Sequence, residues 1–274
     1  MDRLGRYRGR GQRLIEHIAT IGKLKMSKEN EKNIIPPPKD FLEIDPLRDT
    51  YRKSITHAPA VTRSLRTHRT ALLCIDLQYL DAAPGYGVFA DVAATGMPVE
   101  AQEYYFERLH NTVLPNVRRL QDAFRKHQLE VIHTRIQSLT QDGRDRSVGH
   151  KRLGLHAAPG SKEAEFIEQV APIENEIIIN KTASGVFNAT NIEYILRNMD
   201  INGLVVVGVY SNECVSTAIR DACDLGFFVT LIADGCATVT PELQKATITT
   251  MKDRYARVMN TDEAIAEIQQ VVES

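Results

Sequence analysis

From about residue 70 the apolar residues fall into short unbroken runs, separated by stretches in which they recur every three or four positions. TALLCIDL (70–77), LEVIHTR (129–135), NEIIINK (175–181), GLVVVGV (203–209) and FFVTLIAD (227–234) are the runs. None alternates cleanly, which suits strands covered on both faces. Residues 256–259 predict a last short strand. Between the runs, Leu109, Val113, Val117, Leu120 and Phe124 mark one helical face within 103–126. Further helices are predicted at 162–170, 191–199, 211–225 and 242–254. Strand and helix in alternation predict an α/β fold: a three-layer α/β/α, Rossmann-like arrangement around a mainly parallel sheet of about six strands. A polar loop at 137–160 is long enough to be a lid over a site, or simply a solvated connection.

In such a sheet, ligands bind beyond the carboxyl ends of the strands. That rule selects Asp76, Arg135, Lys181 and Asp234, each at the end of a run, and Cys214, just past GLVVVGV. Cys214 sits where a helix begins, with Ser211 as the expected N-cap and Val215, Ala218, Ile219 and Ala222 at helical spacing. Unpaired N–H groups at a helix start lower a thiol's pKa. Free cysteines more often just fill space, and Cys74 and Cys236 are read that way. Taken singly, Asp76 and Lys181 are ordinary strand-end residues. Together, Asp76, Lys181 and Cys214 make a nucleophile with an activating cation and an acid–base group.

The 274 residues fit one large domain with an extension: a basic N-terminal segment and polar arm at 1–69, then the folded domain at 70–274. Net charge is −1, so nothing points to nucleic acid or an anionic membrane surface. No apolar run approaches the ~20 residues of a membrane span. Four cysteines without paired spacing predict neither a disulfide framework nor a zinc site, which fits a reducing, cytoplasmic setting. Residues 1–25 carry Arg3, Arg6, Arg8, Arg10, Arg13, Lys23 and Lys25 against Asp2 and Glu16, with no apolar stretch of the secretory kind. This segment reads as a presequence, as an arm onto a neighbouring subunit, or as a stretch upstream of a true start at Met26. Pro36, Pro37 and Pro38 break any helix after it.

Residues 70–270 resemble the isochorismatase-like cysteine hydrolases, a superfamily that includes nicotinamidases, N-carbamoylsarcosine amidase, and the biuret and ureidoacrylate hydrolases. Three motifs carry the resemblance: IDLQ at 75–78, NKTASGVFNAT at 180–190 and GVYSNECVSTAIRDACDLGF at 208–227. The resemblance implies a catalytic triad of Asp76, Lys181 and Cys214. It also implies a cis peptide at Val209–Tyr210 and an oxyanion hole from the N–H groups of Tyr210 and Cys214. The expected activity is cleavage of an amide or ureide C–N bond through a thioester, with release of ammonia or an amine. Gln78, Tyr79, Phe89, Phe187 and Tyr210 are the expected pocket walls, with Arg135 and Asn188 holding a carboxylate or ureido group. The chain departs from the family in two places. Leu80 and Asp81 stand where members often carry Asp-Phe. HTRIQSL lacks the Asp-x-His metal motif of nicotinamidases, so no metal or other cofactor is expected, and His133 reads as structural. Vinyl-ether hydrolysis and a catalytically idle scaffold are the alternatives. The resemblance further implies a homodimer or homotetramer.

Overall fold

The computed structural model describes residues 51–52, 55 and 59–273. Six parallel strands run through it: β1 (Thr70–Ile75), β2 (Glu130–Ile136), β3 (Ile177–Lys181), β4 (Gly203–Val209), β5 (Phe228–Ala237) and β6 (Arg257–Met259). Their order is β3-β2-β1-β4-β5-β6. The principal helices are α1 (Pro59–Arg66), α2 (Val99–Arg108), α3 (Leu114–Lys126), α4 (Ile192–Asn198), α5 (Ser216–Asp224), α6 (Pro241–Met251) and α7 (Thr261–Val272).

The lack of alternation in the strands follows from the layers. On β1, Leu72 and Cys74 face a core shared with Leu109, Val117, Leu120 and Phe124, while Leu73 and Ile75 face a second core with Leu196, Ile219 and Met251. On β4, Val205 and Val207 share the first core, and Leu204 and Val206 the second. Every residue of both strands is buried. Side chains on both faces are therefore apolar, apart from Thr70 at the start of β1, whose hydroxyl pairs with Ser64.

The chain builds β1, β2 and β3 outward on one side, then returns past β1 to lay down β4 and continue the other way. The crevice between the carboxyl ends of β1 and β4 is thus the topological switch point, where ligands bind in such sheets. There β4 passes very close to β1. Gly208 has φ +123°, and a Cβ on it would stand 2.1 Å from the Ile75 carbonyl oxygen. No side chain fits that approach. Gly208→Ala is expected to destabilise the domain by about 2–4 kcal/mol, read as a lower urea midpoint with an unchanged slope.

Several sequence expectations shift in detail. The 103–126 helix becomes α2 and α3 joined by a widened π turn, Leu109–Val113. Residues 162–170 form two 3-10 turns, not a helix, because the intervening Phe166 pairs in antiparallel bridge with Gln78. Residues 59–66, assigned to the polar arm, form α1, whose Leu65 lies in the core. Ser64 on the same helix donates to Asn202 at 2.6 Å. The domain therefore begins before residue 70. The basic segment, Met26 and the three consecutive prolines lie outside the described residues. No helix among the described residues is long and apolar enough to cross a membrane.

Candidate active site

Asp76 follows directly on β1 with φ +55°, a left-handed turn that an aspartate tolerates better than most residues. Its N–H donates to the Thr134 carbonyl of β2 at 3.0 Å, and the Thr134 hydroxyl donates to its Oδ1 at 3.1 Å. Lys181 is the last residue of β3, with β2 standing between it and β1. Two strand spacings are about 10 Å, which the long lysine arm and the short aspartate arm close between them. The Lys181 ammonium lies 2.7 Å from Asp76 Oδ2, and the two side chains are 0% and 1% exposed. It also donates to Cys214 Sγ at 3.3 Å and to the Ala183 carbonyl at 3.1 Å. All three N–H bonds of the ammonium have a partner.

Cys214 comes from the switch point. β4 ends at Val209, the Val209–Tyr210 peptide is cis, and Ser211–Val215 forms a widened π turn that leads into α5. Ser211 does not cap this turn. Its hydroxyl donates to Gln244 Oε1 on α6 at 2.7 Å. The Tyr210 carbonyl accepts from the N–H groups of Glu213 and Val215.

The electrostatics correct one expectation. A helix start was expected to lower the thiol's pKa, but burial pushes the Cys214 thiol well above its ordinary value. Lys181 opposes that shift, and Asp76 and Asp81 add to it. Burial alone would lower the Lys181 ammonium, but Asp76 and then Cys214 outweigh it and hold the amine protonated. The resting pair is therefore a thiol beside an ammonium–carboxylate ion pair. The thiol needs a base at the moment of attack. Cys74 and Cys236 are likewise pushed up by burial, to about 12, but neither lines the cavity that Cys214 reaches.

Cys214 opens onto a cavity of about 170 Å³. Its apolar wall includes Ile136, Leu155, Tyr210 and Val239, and its polar lining is Asp81, His150, Ser184, Glu213 and Thr238. His150 and Leu155 come from 137–160, so this loop walls the site. Burial and then the Lys181 charge keep the His150 imidazole below the ordinary histidine range, hence neutral at pH 7. Asp81 is 3% exposed. Burial first, and then the Asp76 charge, raise its carboxyl well above the ordinary 3.8, against a lowering by Lys181.

The Asp81 shift has a consequence for stability. A carboxyl whose pKa is raised on folding holds its proton more tightly in the folded chain than in the unfolded one. The stability it supports is full below about pH 4 and is lost as pH rises. Asp81→Asn removes that loss. It is expected to stabilise the protein by on the order of 1–2 kcal/mol at pH 7, with the gain fading towards pH 4 in thermal unfolding.

Of the expected pocket walls, Tyr210 lines the cavity and the others do not. Gln78 is fully buried and ties the sheet to the loop. Its Nε2 donates to the carbonyls of Ile136 and Glu163 at 2.9 and 2.8 Å, and its Oε1 accepts from the Ile136 N–H. Phe89 is core, stacked on Tyr105 at 5.2 Å. Tyr79 packs against Tyr86 under the Lys162 ammonium. Phe187 packs on Phe227, and the exposed Asn188 folds over Gly185. Arg135 turns outward to Asn180 Oδ1, the Ala164 carbonyl and the Phe166 ring, and among the described residues no arginine lines the cavity. Asp234 falls in the irregular stretch where β5 shifts register against β4, and accepts from the Thr261 N–H and hydroxyl instead. His133 pairs with Glu176 at 3.0 Å. Among the described residues no cluster of three or more His, Cys, Asp or Glu is arranged to hold a metal ion.

Comparison with known proteins places the fold in a family. The isochorismatase domain model matches residues 70–263. An N-carbamoylsarcosine amidase of Arthrobacter sp is 24% identical over 159 residues, covering 56% of this chain and 60% of that protein. A ureidoacrylate amidohydrolase, RutB, of Rhizobium rhizogenes is 30% identical over 119 residues, covering 43% of this chain and 48% of that one. The match to these curated relatives thus spans less than two thirds of their length. A cysteine hydrolase structure from Pseudomonas syringae pv. phaseolicola 1448A superposes with a TM-score of 0.61 at 23% identity, over 74% of this chain and 94% of that one, which shows a shared fold. With the domain match running from the first strand into the last helix, the chain belongs to the isochorismatase family of hydrolases.

Proposed function

We propose that the protein is a cysteine hydrolase that cleaves the C–N bond of a small amide or ureide. One observation carries the reading. Lys181 lies 2.7 Å from Asp76 and 3.3 Å from the Cys214 sulfur, all three buried, where Cys214 opens onto the cavity.

In this mechanism Asp76 takes the thiol proton as the sulfur attacks the substrate carbonyl. Concerted transfer suits a thiol that burial keeps protonated at rest. The Lys181 ammonium faces the sulfur while it carries negative charge and holds Asp76 in place. The tetrahedral oxyanion is assigned to the N–H groups of Tyr210 and Cys214, which belong to the turn that carries the sulfur. Asp76 then gives its proton to the leaving nitrogen, the C–N bond breaks, and ammonia or an amine departs. Water attacks the remaining thioester and gives a proton to Asp76; the C–S bond breaks, the acid departs, and Asp76 returns that proton to the Cys214 sulfur. The amidase names of two relatives support the C–N bond as the target.

The test is ammonia release across nicotinamide, biuret, N-carbamoyl amino acids, ureidoacrylate-like compounds and maleamate. Release from at least one supports the reading. Silence across the whole panel, with folded protein, would count against C–N cleavage.

A further inference from the structure

We propose that Asp81 and Glu213 make the cavity a site for small amides or ureides whose far end carries a protonated, basic nitrogen, and that they turn away substrates ending in a carboxylate. The inference rests on the cysteine-hydrolase reading and adds the substrate class.

Asp81 is not an incidental surface acid. It is 3% exposed, lines the cavity, and its Oδ2 is buried without a hydrogen-bond partner. Its backbone is pinned: the Tyr105 and Tyr210 hydroxyls both donate to the Asp81 carbonyl, at 2.6 and 3.2 Å. The neighbouring Gly87 lets the chain fold against Leu80, because a Cβ there would stand 2.1 Å from the Leu80 carbonyl oxygen. A buried carboxyl oxygen with no donor is costly, and a guest carrying N–H bonds removes that cost. Glu213, one residue before the nucleophile, is exposed and lines the same cavity. Two carboxyl groups thus face one small space.

Nothing in that space favours an anion. Among the described residues no arginine or lysine lines it. The Lys181 donors are taken by Asp76, Cys214 and Ala183. His150, the one basic side chain in the lining, is kept neutral by burial and by Lys181. A carboxylate guest would meet two carboxyl groups and no free cation, whereas an ammonium or amidinium would meet two acceptors.

The test has two arms on the same three proteins, wild type, Asp81→Asn and Glu213→Gln. In the first arm, ammonia release is compared for γ-aminobutyramide, valeramide and succinamate, which differ mainly at the far end. In the second, Cys214 is labelled with methanethiosulfonates bearing an ammonium, a neutral or a sulfonate end. Rates are read on the Cys214 peptide by mass spectrometry and normalised to a free thiol. The second arm needs no hydrolysis. The expected order in both arms is cation, neutral, anion, with cation over anion by about a hundredfold in the wild type and about tenfold less in either variant. If the labelling order holds and none of the amides is cleaved, charge selection stands and the C–N reading is what fails. A faster anionic reagent, or ratios that both variants leave unchanged, would overturn the proposal.

Discussion

Cys214→Ala is expected to lower the rate of amide hydrolysis by about ten-thousandfold or more while leaving the fold intact. The size follows from the role. Removing a covalent nucleophile removes the pathway, and what remains is positioning of substrate and water. The small effect on folding follows from the surroundings. The sulfur is one atom at a cavity wall, 4% exposed as a residue, so its loss enlarges an existing space and opens no new one. A stability change of about 1 kcal/mol or less is expected. Parallel urea unfolding and ammonia release on the two proteins check both halves. A variant that retains turnover would remove the nucleophile assignment, whatever the geometry.

Lys181→Met is expected to damage fold and activity together, and the two can be separated. The substitution keeps the volume of the arm but strands a carboxylate at Asp76 that is 1% exposed. Breaking a buried pair in this way costs about 3–5 kcal/mol. For a domain of this size each kcal/mol lowers Tm by roughly 2–4 °C. Adding Asp76→Asn removes the stranded charge, and the double variant is expected to regain much of the lost stability, because replacing both partners is close to neutral. It is not expected to regain activity. The thiol keeps the upward push of burial, loses the one charge that opposes it, and has no base left to take its proton. Recovery of Tm without recovery of turnover marks the triad as chemistry. Recovery of both would reduce Lys181 and Asp76 to structural partners.

The fold was largely legible because the two cores imposed one pattern on it. A strand buried on both faces has almost no polar positions, so TALLCI and GLVVVGV stand out, and they occupy the two central places of the sheet. The strand-end rule selected Asp76, Lys181 and Cys214, and the structure brings the three side chains together, since what the rule reads is topology, not side-chain contact. It failed at Asp234, because an irregular stretch of β5 turns that carboxylate towards α7, and local register is not visible in composition. It failed at Arg135 for a related reason: strand residues alternate sides, and Arg135 points to Asn180 and Phe166, away from the cavity. The pocket walls were the least legible part. Gln78 and Phe89 lie near the motif in sequence but serve the sheet and the core. His150 and Leu155 arrive from a loop that carries no periodic signal. Asp81 did leave a trace, as a departure from the family pattern beside IDLQ. Its meaning needed the cavity.

Trapping of the acyl-enzyme tests the central claim most directly. The protein would turn over whichever amide it cleaves in the presence of hydroxylamine, with ammonia or amine, free acid and hydroxamate measured in the same samples. A thioester on Cys214 predicts release of the nitrogen in excess of free acid. The hydroxamate should make up the difference, and neither product should form with Cys214→Ala. Equal release of nitrogen and acid at every hydroxylamine concentration, with no hydroxamate, would mean that water attacks the substrate directly and that Cys214 is not the nucleophile.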